Sequence, residues 1–490
     1  MNKKVFFIST AIDYPSEKPH LGHCLEKIQA DVIARYKRLQ GFDVHFSIGT
    51  DEHGLKIQRY AQKAGKKPQE FVDEMSGYFK DLWEKLNISN DDFVRTTEKR
   101  HIKVVQEIIK KIYKKGDIYK GKYKGLYCVD CESYYMPKDL IDGKCPIHHK
   151  LPELIEEEGY FFRMNKYQEA LIRYIEENKN FIIPDSKRNE ILNRLKEPLQ
   201  DLSISRTAVK WGIPLPIDEK FTLFVWIDAL INYLTTIDYP GKKFKKFWPA
   251  DVHVIGKDIV WHHSVIWASL LLSLGLPLPK TIFVHGFITV KGEKMSKSLG
   301  NIINPVGLVE KYGRETIRYF FIREFSSFED GNFSEERIKE RYNSDLAQGI
   351  GNLLSRILAL GEQYQTSLIL KKNGLQKLID ETEKIYHQKM QEFRLNEALA
   401  RVWDLVNALD KFITEEKPWA SLKNDQEKFE KDMATLIISL GKVALSIAPV
   451  MPETSEKLLE ALQLKNLAET NWQNLKVQLK SQEPLFPKLQ

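Results

Sequence analysis

Cysteine is scarce in this chain, with four in 490 residues. That count is too low for a disulfide framework. Three of the four cluster between Cys128 and Cys145, which suits a reducing compartment and a metal site. Long apolar runs are also missing. The longest candidate, Val265 to Leu274, falls well short of a membrane crossing and reads as a core helix. Met1-Asn2-Lys3-Lys4 leads straight into an apolar strand, with neither the apolar region nor the cleavage site of a secretory leader, so a cytoplasmic location is expected. Charge of one sign is in small excess, and a net +7 permits a polyanionic partner without demanding one. What is present, 42% hydrophobic and 29% charged residues, is an ordinary globular composition. The length allows about two to four domains.

Pro19-His20-Leu21-Gly22-His23 sits where the apolar strand Val5-Phe6-Phe7-Ile8 gives way to a helix. Leu25, Ile28, Val32, Tyr36 and Leu39 recur at helical spacing, and Gly41 is a stop signal. The two histidines therefore fall in the first turn. Unpaired N–H groups and the positive end of the helix dipole make that turn an anion site, and Gly22 removes a side chain that would hold a phosphate off the backbone. Capping of the helix by the same histidines explains the stretch equally well. Much later, Lys294-Met295-Ser296-Lys297-Ser298 follows a second strand, Thr281-Ile282-Phe283-Val284, in a loop flanked by Gly292 and Gly300. A lone lysine pair is usually a solvated turn. Together, the early His-x-Gly-His and the late Lys-Met-Ser-Lys-Ser resemble the paired signatures of class I aminoacyl-tRNA synthetases.

Asp43-Val44-His45-Phe46-Ser47-Ile48 alternates as a strand and runs into Gly49-Thr50-Asp51-Glu52-His53-Gly54. Ligands bind beyond the carboxyl ends of parallel strands, so Asp51 is placed to take an α-ammonium group, or else to cap the helix that follows. The resemblance to the family's Gly-Thr-Asp-x-His-Gly motif implies the ligand role. The basic run from Glu98 to Lys124, around Ile102, Val105, Ile109 and Ile112, reads as a solvated helix face with a possible supporting role against RNA phosphate.

Cys128-Val129-Asp130-Cys131, followed by Cys145-Pro146-Ile147-His148, supplies the ligand set of a structural, four-coordinate Zn²⁺. His149 is an adjacent alternative to His148. Cys24 reads as a small core residue. The knuckle falls between two halves of a nucleotide fold and resembles the connective-peptide domain of methionyl-tRNA synthetases in its single-knuckle form. There is no room for the large editing domain of the Ile, Leu and Val enzymes. Asp201-Leu202-Ser203-Ile204-Ser205-Arg206-Thr207 and Trp211-Gly212-Ile213-Pro214 are similar to the same family, and a buried turn braced by Arg206 is the plain reading.

After the strand Phe221 to Val225, Trp226, Ala229, Leu230 and Tyr233 share a helix face. After Val252 to Asp258, so do Ile259, His263 and Trp267. An aromatic stripe is more often core than pocket. Both helices start at strand carboxyl ends, however, and with Ala11, Ile12 and Tyr14 they form an apolar, aromatic cavity suited to a thioether. These positions look like the methionine pocket of methionyl-tRNA synthetases. They depart from it at Leu230, where some members have proline, and at His262, where an aromatic is common.

The resemblance implies an α/β fold: a doubly wound, Rossmann-type parallel-sheet catalytic domain, a zinc-knuckle insertion and a C-terminal α-helical anticodon-binding bundle. The expected divisions are 1–115 and 221–300 for the two catalytic halves, 116–220 for the insertion, 301–345 for a linking region and 346–490 for the bundle. It also implies methionine–tRNA ligase activity, in which methionine and ATP give an adenylate and the methionyl group passes to tRNA(Met), initiator tRNA included, for initiation and elongation. His20, Gly22 and His23 would meet the α-phosphate, Lys294, Lys297 and Ser298 the pyrophosphate, and Gly256 and Asp258 the ATP ribose. Mg²⁺ would accompany ATP, and Asn352, Arg356 and Trp419 would contact the anticodon. No membrane partner is expected, and with no appended dimerising domain in view a monomer is expected. The rival readings are a class I synthetase of the cysteine type, a nucleotidyltransferase sharing the His-x-Gly-His fold, and a non-catalytic tRNA-binding relative.

Overall fold

β1 (Val5–Thr10), β2 (Asp43–Thr50) and β3 (Asp92–Arg95) begin a parallel sheet, with α1 (Leu21–Leu39), α2 (Leu55–Lys63) and α3 (Pro68–Lys85) between them in sequence. The computed structural model describes residues 3–128, 133–135, 137–146, 149–207, 209–294, 303–371, 374–464 and 471–489. α4 (Lys99–Lys114) follows, and its buried stripe includes His101 beside Val104, Val105, Ile108, Ile109 and Ile112. The basic run continues beyond it onto β4 (Ile118–Cys128), which forms an antiparallel sheet with β5 (Ser133–Tyr135) and β6 (Glu153–Phe162). After α5 (Gln168–Glu177), β7 (Ile182–Ile183) and α6 (Asp185–Arg194), β8 (Leu202–Ser203) joins that second sheet. The short pair β9 (Ser205–Arg206) and β10 (Thr222–Leu223) leads to α7 (Val225–Leu230), α8 (Asn232–Thr235) and α9 (Lys242–Phe247). β11 (Val252–Gly256), α10 (Ala268–Leu274) and β12 (Thr281–His285) follow, the two strands completing the parallel sheet.

The central sheet has the order β3-β2-β1-β11-β12-β7, with every pair parallel. Strand order reverses between β1 and β11, which makes the carboxyl ends of those two strands the expected ligand crevice. β2 departs from simple alternation. His45 and Ser47 are as buried as Val44 and Phe46, as befits a strand covered on both faces. His45 lies against the Phe7 and Phe247 rings, and burial, helped by the charge of Lys243, lowers its pKa to about 4.

The chain divides into two compact units. Met1–Pro19, Asp43–Glu84 and Ser89–His285 form one; His20–Phe42, Lys85–Ile88 and Gly286–Gln490 form the other. α1 belongs to the second. There it packs against β13 (Ile288–Val290), which forms a small sheet with β14 (Glu293–Lys294) and β15 (Gly331–Phe333), and against α12 (Arg314–Glu324), which follows α11 (Pro305–Tyr312). Leu39, expected on the apolar stripe of α1, is instead 46% exposed at the helix end.

After α13 (Glu335–Arg341) the bundle region expected from residue 346 does not open on a regular α-helix. Residues Tyr342–Gly351 form a π-helical turn with Gly349 at ψ −105°, and α14 (Asn352–Tyr364) starts beyond it. α15 (Gln376–Gln391), α16 (Leu395–Glu416), α17 (Pro418–Asn424), α18 (Gln426–Ile447) and α19 (Pro452–Ala461) build a bundle around the buried length of α18. β16 (Leu368–Ile369) and β17 (Lys476–Val477) add one short antiparallel pair to an otherwise helical region.

Candidate active site

The first turn of α1 is capped by its own histidines. His20, extended at φ −128° and ψ 177°, accepts the Gly22 N–H on Nδ1 at 3.1 Å, and its own N–H donates to His23 Nδ1 at 3.1 Å. The rings lie 3.9 Å apart. A ring nitrogen that accepts a backbone N–H carries no proton, so each neutral imidazole holds its proton on Nε2. Capping and anion binding are therefore one arrangement: the cap fixes the tautomer in which Nε2–H is the donor. Lys294 ends β14, paired with Thr289 across a turn that has Gly292 at φ +79°. Lys297 and Ser298 lie outside the described residues.

In the first unit, backbone pairing continues past the strands at the switch point. The Ala11 N–H donates to the Val254 carbonyl at 3.0 Å, Asp13 to Gly49 at 2.8 Å, and Asp51 to Asp13 at 2.8 Å. These bonds bring Ala11, Ile12 and Tyr14 alongside the loop of Asp51. α2 starts only after Gly54, at φ +107°, with no side-chain cap, which removes capping as the reason for an aspartate at 51.

The neighbours of Asp51 are locked. The Glu52 carboxylate is fully buried and accepts from Thr50 at 2.8 Å, Arg95 at 2.6 Å, Thr97 at 2.5 Å and also Ser76. Trp211 donates its Nε1–H to the Glu52 carbonyl at 2.6 Å and accepts the Gly54 N–H on its own carbonyl at 3.0 Å. That gives a physical role to a tryptophan whose motif suggested none. Arg206 is buried; it donates to the Ser203 and Ser205 carbonyls at 3.1 and 2.8 Å and lies 4.2 Å over the ring of Phe224, the residue that opens α7.

The residues expected to line the methionine pocket separate into a half-buried rim and a buried floor. Ala11, Ile12, Tyr14, Trp226, Ile259 and His262 are half-buried, whereas Ala229, Leu230, Tyr233, His263 and Trp267 are buried. Trp226 and His262 stack with centroids 3.8 Å apart. Tyr233 stacks on His253 at 4.0 Å, meets Trp267 at a tilt of 53° and 5.8 Å and hydrogen-bonds His263 Nε2 at 2.7 Å. His263 Nδ1 lies 2.9 Å from the Ile259 carbonyl, which can only accept, so the proton is on Nδ1 and the Tyr233 hydroxyl donates to Nε2. Burial, with the nearby charges of His263 and Arg194, lowers His262 to about 3, and burial drives His253 well below the ordinary histidine value. Both are neutral rings at physiological pH.

Local winding differs from the regular helices expected here. α7 ends at Leu230, so Tyr233 belongs to a separate short helix, and the stretch from Lys257 to Trp267 contains a 3₁₀ turn and then a π turn. Such turns are frequent at functional sites. At the end of β11, a Cβ on Gly256 would fall 2.8 Å from Asp258 Oδ1, and Asp258 itself is exposed. The close approach and the outward carboxylate suit a ribose.

In the insertion, Cys128 closes β4 and is buried, as is Cys145, whose Sγ lies 3.6 Å from the Tyr135 hydroxyl. Cys131 and His148 lie outside the described residues, and among the described residues no three metal-ligating side chains converge. Two buried thiols on a knuckle are nevertheless the donor chemistry that zinc selects.

On α14, Asn352 is exposed and Arg356 donates to Asp410 at 2.6 Å. α14 packs on α17, where Pro418 fixes the first turn and Trp419 stands 43% exposed. His53, which lies in the Gly-Thr-Asp-x-His-Gly motif with no role assigned to it, forms a buried cluster with His101 and Asp228. His101 was hidden by its place on an apolar helix face.

The model for class I tRNA synthetases (M) matches residues 6–150 and 130–358, and the anticodon-binding domain of tRNA ligases matches residues 374–486. The fold is that of a class I aminoacyl-tRNA synthetase. The methionine–tRNA ligase of Thermotoga maritima is 44% identical over 99% of this chain and 80% of its own length; that of Caldanaerobacter subterraneus is 43% identical over 99% and 79%. The solved Mycobacterium tuberculosis methionyl-tRNA synthetase in complex with methionyl-adenylate superposes with a TM-score of 0.95 at 36% identity, covering 99% of this chain and 100% of that one. Its apo form gives 0.88 at 32% identity, covering 100% and 99%. The chain belongs to the methionyl-tRNA synthetase family.

Proposed function

We propose that this chain joins L-methionine to tRNA(Met) in two steps, for initiation and elongation alike. The observation that carries the reading is the likeness, along 99% of the chain, to a synthetase solved with methionyl-adenylate. In the first step a methionine carboxylate oxygen attacks the α-phosphorus of ATP and pyrophosphate leaves. The carboxylate, with a pKa of roughly 3.5, is already ionised and needs no general base. The work is therefore to orient the reactants and to stabilise the charge that develops on phosphate oxygens.

The Nε2–H donors of His20 and His23, at the positive end of α1, meet the α-phosphate. Lys294 and Lys297 meet the departing pyrophosphate, with Ser298 beside them. Asp51 takes the methionine ammonium, the aromatic rim and floor take its thioether, and Asp258 takes the ATP ribose. Mg²⁺ bound with ATP would lower the negative charge of the phosphates. In the second step a ribose hydroxyl of the 3′-terminal adenosine attacks the adenylate carbonyl and AMP leaves.

Asn352, Arg356 and Trp419 read the anticodon, Trp419 by stacking on an unpaired base. Cys128, Cys131, Cys145 and His148 hold a structural Zn²⁺. The reading includes a monomer, acting in the cytoplasm.

ATP–pyrophosphate exchange across the standard amino acids tests the reading. Methionine alone should support rapid exchange, and a faster rate with any other amino acid would reject the assignment. Lys294→Ala should slow exchange on the order of 10²–10³-fold, the scale of losing one preorganised donor.

A further inference from the structure

We propose that Asp228 is a positioning residue that clamps the loop of Asp51 to the aromatic wall of the methionine pocket. The inference rests on the functional reading above and deepens it. Asp228 lies on α7 between Trp226 and Ala229 and is 1% exposed. Its two carboxylate oxygens go to different parts of the chain. Oδ2 accepts from His53 Nδ1 at 2.7 Å, and Oδ1 accepts from His101 Nε2 at 2.7 Å. His101 Nδ1 in turn lies 2.9 Å from the Thr235 hydroxyl on α8. Because a carboxylate only accepts, His53 carries a proton on Nδ1 and His101 on Nε2. Burial alone would raise the Asp228 pKa, but the two imidazoles override it and hold the carboxyl below its ordinary value.

His53 is two residues beyond Asp51, and its carbonyl accepts the Tyr14 hydroxyl at 2.9 Å. The loop is therefore gripped at Glu52 by the β3 side of the sheet and by Trp211, and at His53 by Asp228 and Tyr14. Asp51 hangs from a frame fixed at both neighbours. A buried carboxylate is expensive unless every acceptor site is used, and apolar residues could fill the same volume. What they could not do is set the distance between two segments 175 residues apart, one carrying the group for the ammonium and the other carrying Trp226. Charge-assisted contacts lose much of their value when displaced by about 1 Å, so the frame sets methionine affinity.

The test measures KM for methionine and for ATP by pyrophosphate exchange in the wild-type chain and in Asp228→Asn, His53→Ala and His53→Asn. Asparagine at 53 places an amide N–H near the lost Nδ1–H. Expected results are a rise of about tenfold or more in the methionine KM for Asp228→Asn and His53→Ala, an ATP KM within about twofold of wild type, and recovery toward wild type in His53→Asn. A merely structural role would lower the melting temperature of the variants and leave the ratio of the two KM values unchanged; that result overturns the proposal. So does His53→Asn behaving like His53→Ala. If Asp228→Asn fails to fold, the two His53 variants decide. A wild-type chain inert with methionine would instead reject the functional reading itself.

Discussion

His262 stands where the pocket calls for a flat apolar ring, and burial makes it one. Its pKa of about 3 in the folded chain lies far below the ordinary 6.5. The unfolded chain therefore takes up the proton first as pH falls: this contribution to stability is complete above about pH 6.5 and is lost progressively toward pH 3. With the ring half-buried, the loss by pH 5 should be about 1–2 kcal/mol. His262→Phe should remove that dependence, so the drop in urea midpoint between pH 7 and pH 5 should be smaller in the variant than in the wild type. The same neutrality predicts a methionine KM that stays flat from pH 6.5 to 8.5. At this scale Trp226, Ala229, Tyr233, His263 and Trp267 were legible as residues gathered near strand ends, because residue type and strand-end placement are local properties. It was silent on Asp228, whose partners His53 and His101 are 175 and 127 residues away.

Arg318 does for α12 what no periodicity could foretell. It is fully buried; it donates to the carbonyls of Val450 at 2.7 Å, Pro449 at 3.0 Å and Leu86 at 3.2 Å, and it pairs with Asp31 of α1 at 2.7 Å. One guanidinium thus joins α1, the 85–88 segment, α12 and the turn before α19. Arg318→Met would take a charged partner from the fully buried Asp31, and should cost about 3–5 kcal/mol in denaturant unfolding. At the start of α17 the situation is the reverse. Trp419 contributes little to packing, so Trp419→Ala should hardly move the melting temperature. It should raise the KM for tRNA by the equivalent of about 1–3 kcal/mol of lost stacking while leaving pyrophosphate exchange intact. Helices along the second half can be read from apolar spacing, as at Leu395, Leu399, Val402 and Val406. The breaks at Ile231 and around Gly349 cannot, since they answer to tertiary packing and not to local propensity.

Across the whole chain, the parallel sheet was legible because β1 and β12 carry short apolar runs, β2 alternates, and helical spacing follows β1 and β11. The division into units was not, because it depends on which partner α1 packs against. That packing carries a prediction for fragments. A piece beginning at Gly286 lacks both Asp31 and Leu86, so Arg318 would be buried without half its partners. Expressed alone, it should bind a hydrophobic dye and unfold at lower denaturant than the same region in the full chain. For the insertion, a strong chelator should release about one zinc per chain and loosen the antiparallel sheet around Cys128 and Cys145, seen as faster proteolysis there.

The chain crosses from one unit to the other at Pro19, Phe42, Glu84, Ile88 and His285. A gene cut at any single codon therefore yields two polypeptides, neither of which matches a unit, and a cut between Phe42 and Gly286 leaves the imidazole pair at the head of α1 with the amino-terminal product while β13 and α12 go with the other. Adenylate formation and tRNA reading can be separated in this molecule by exchanging side chains, but not by scissors.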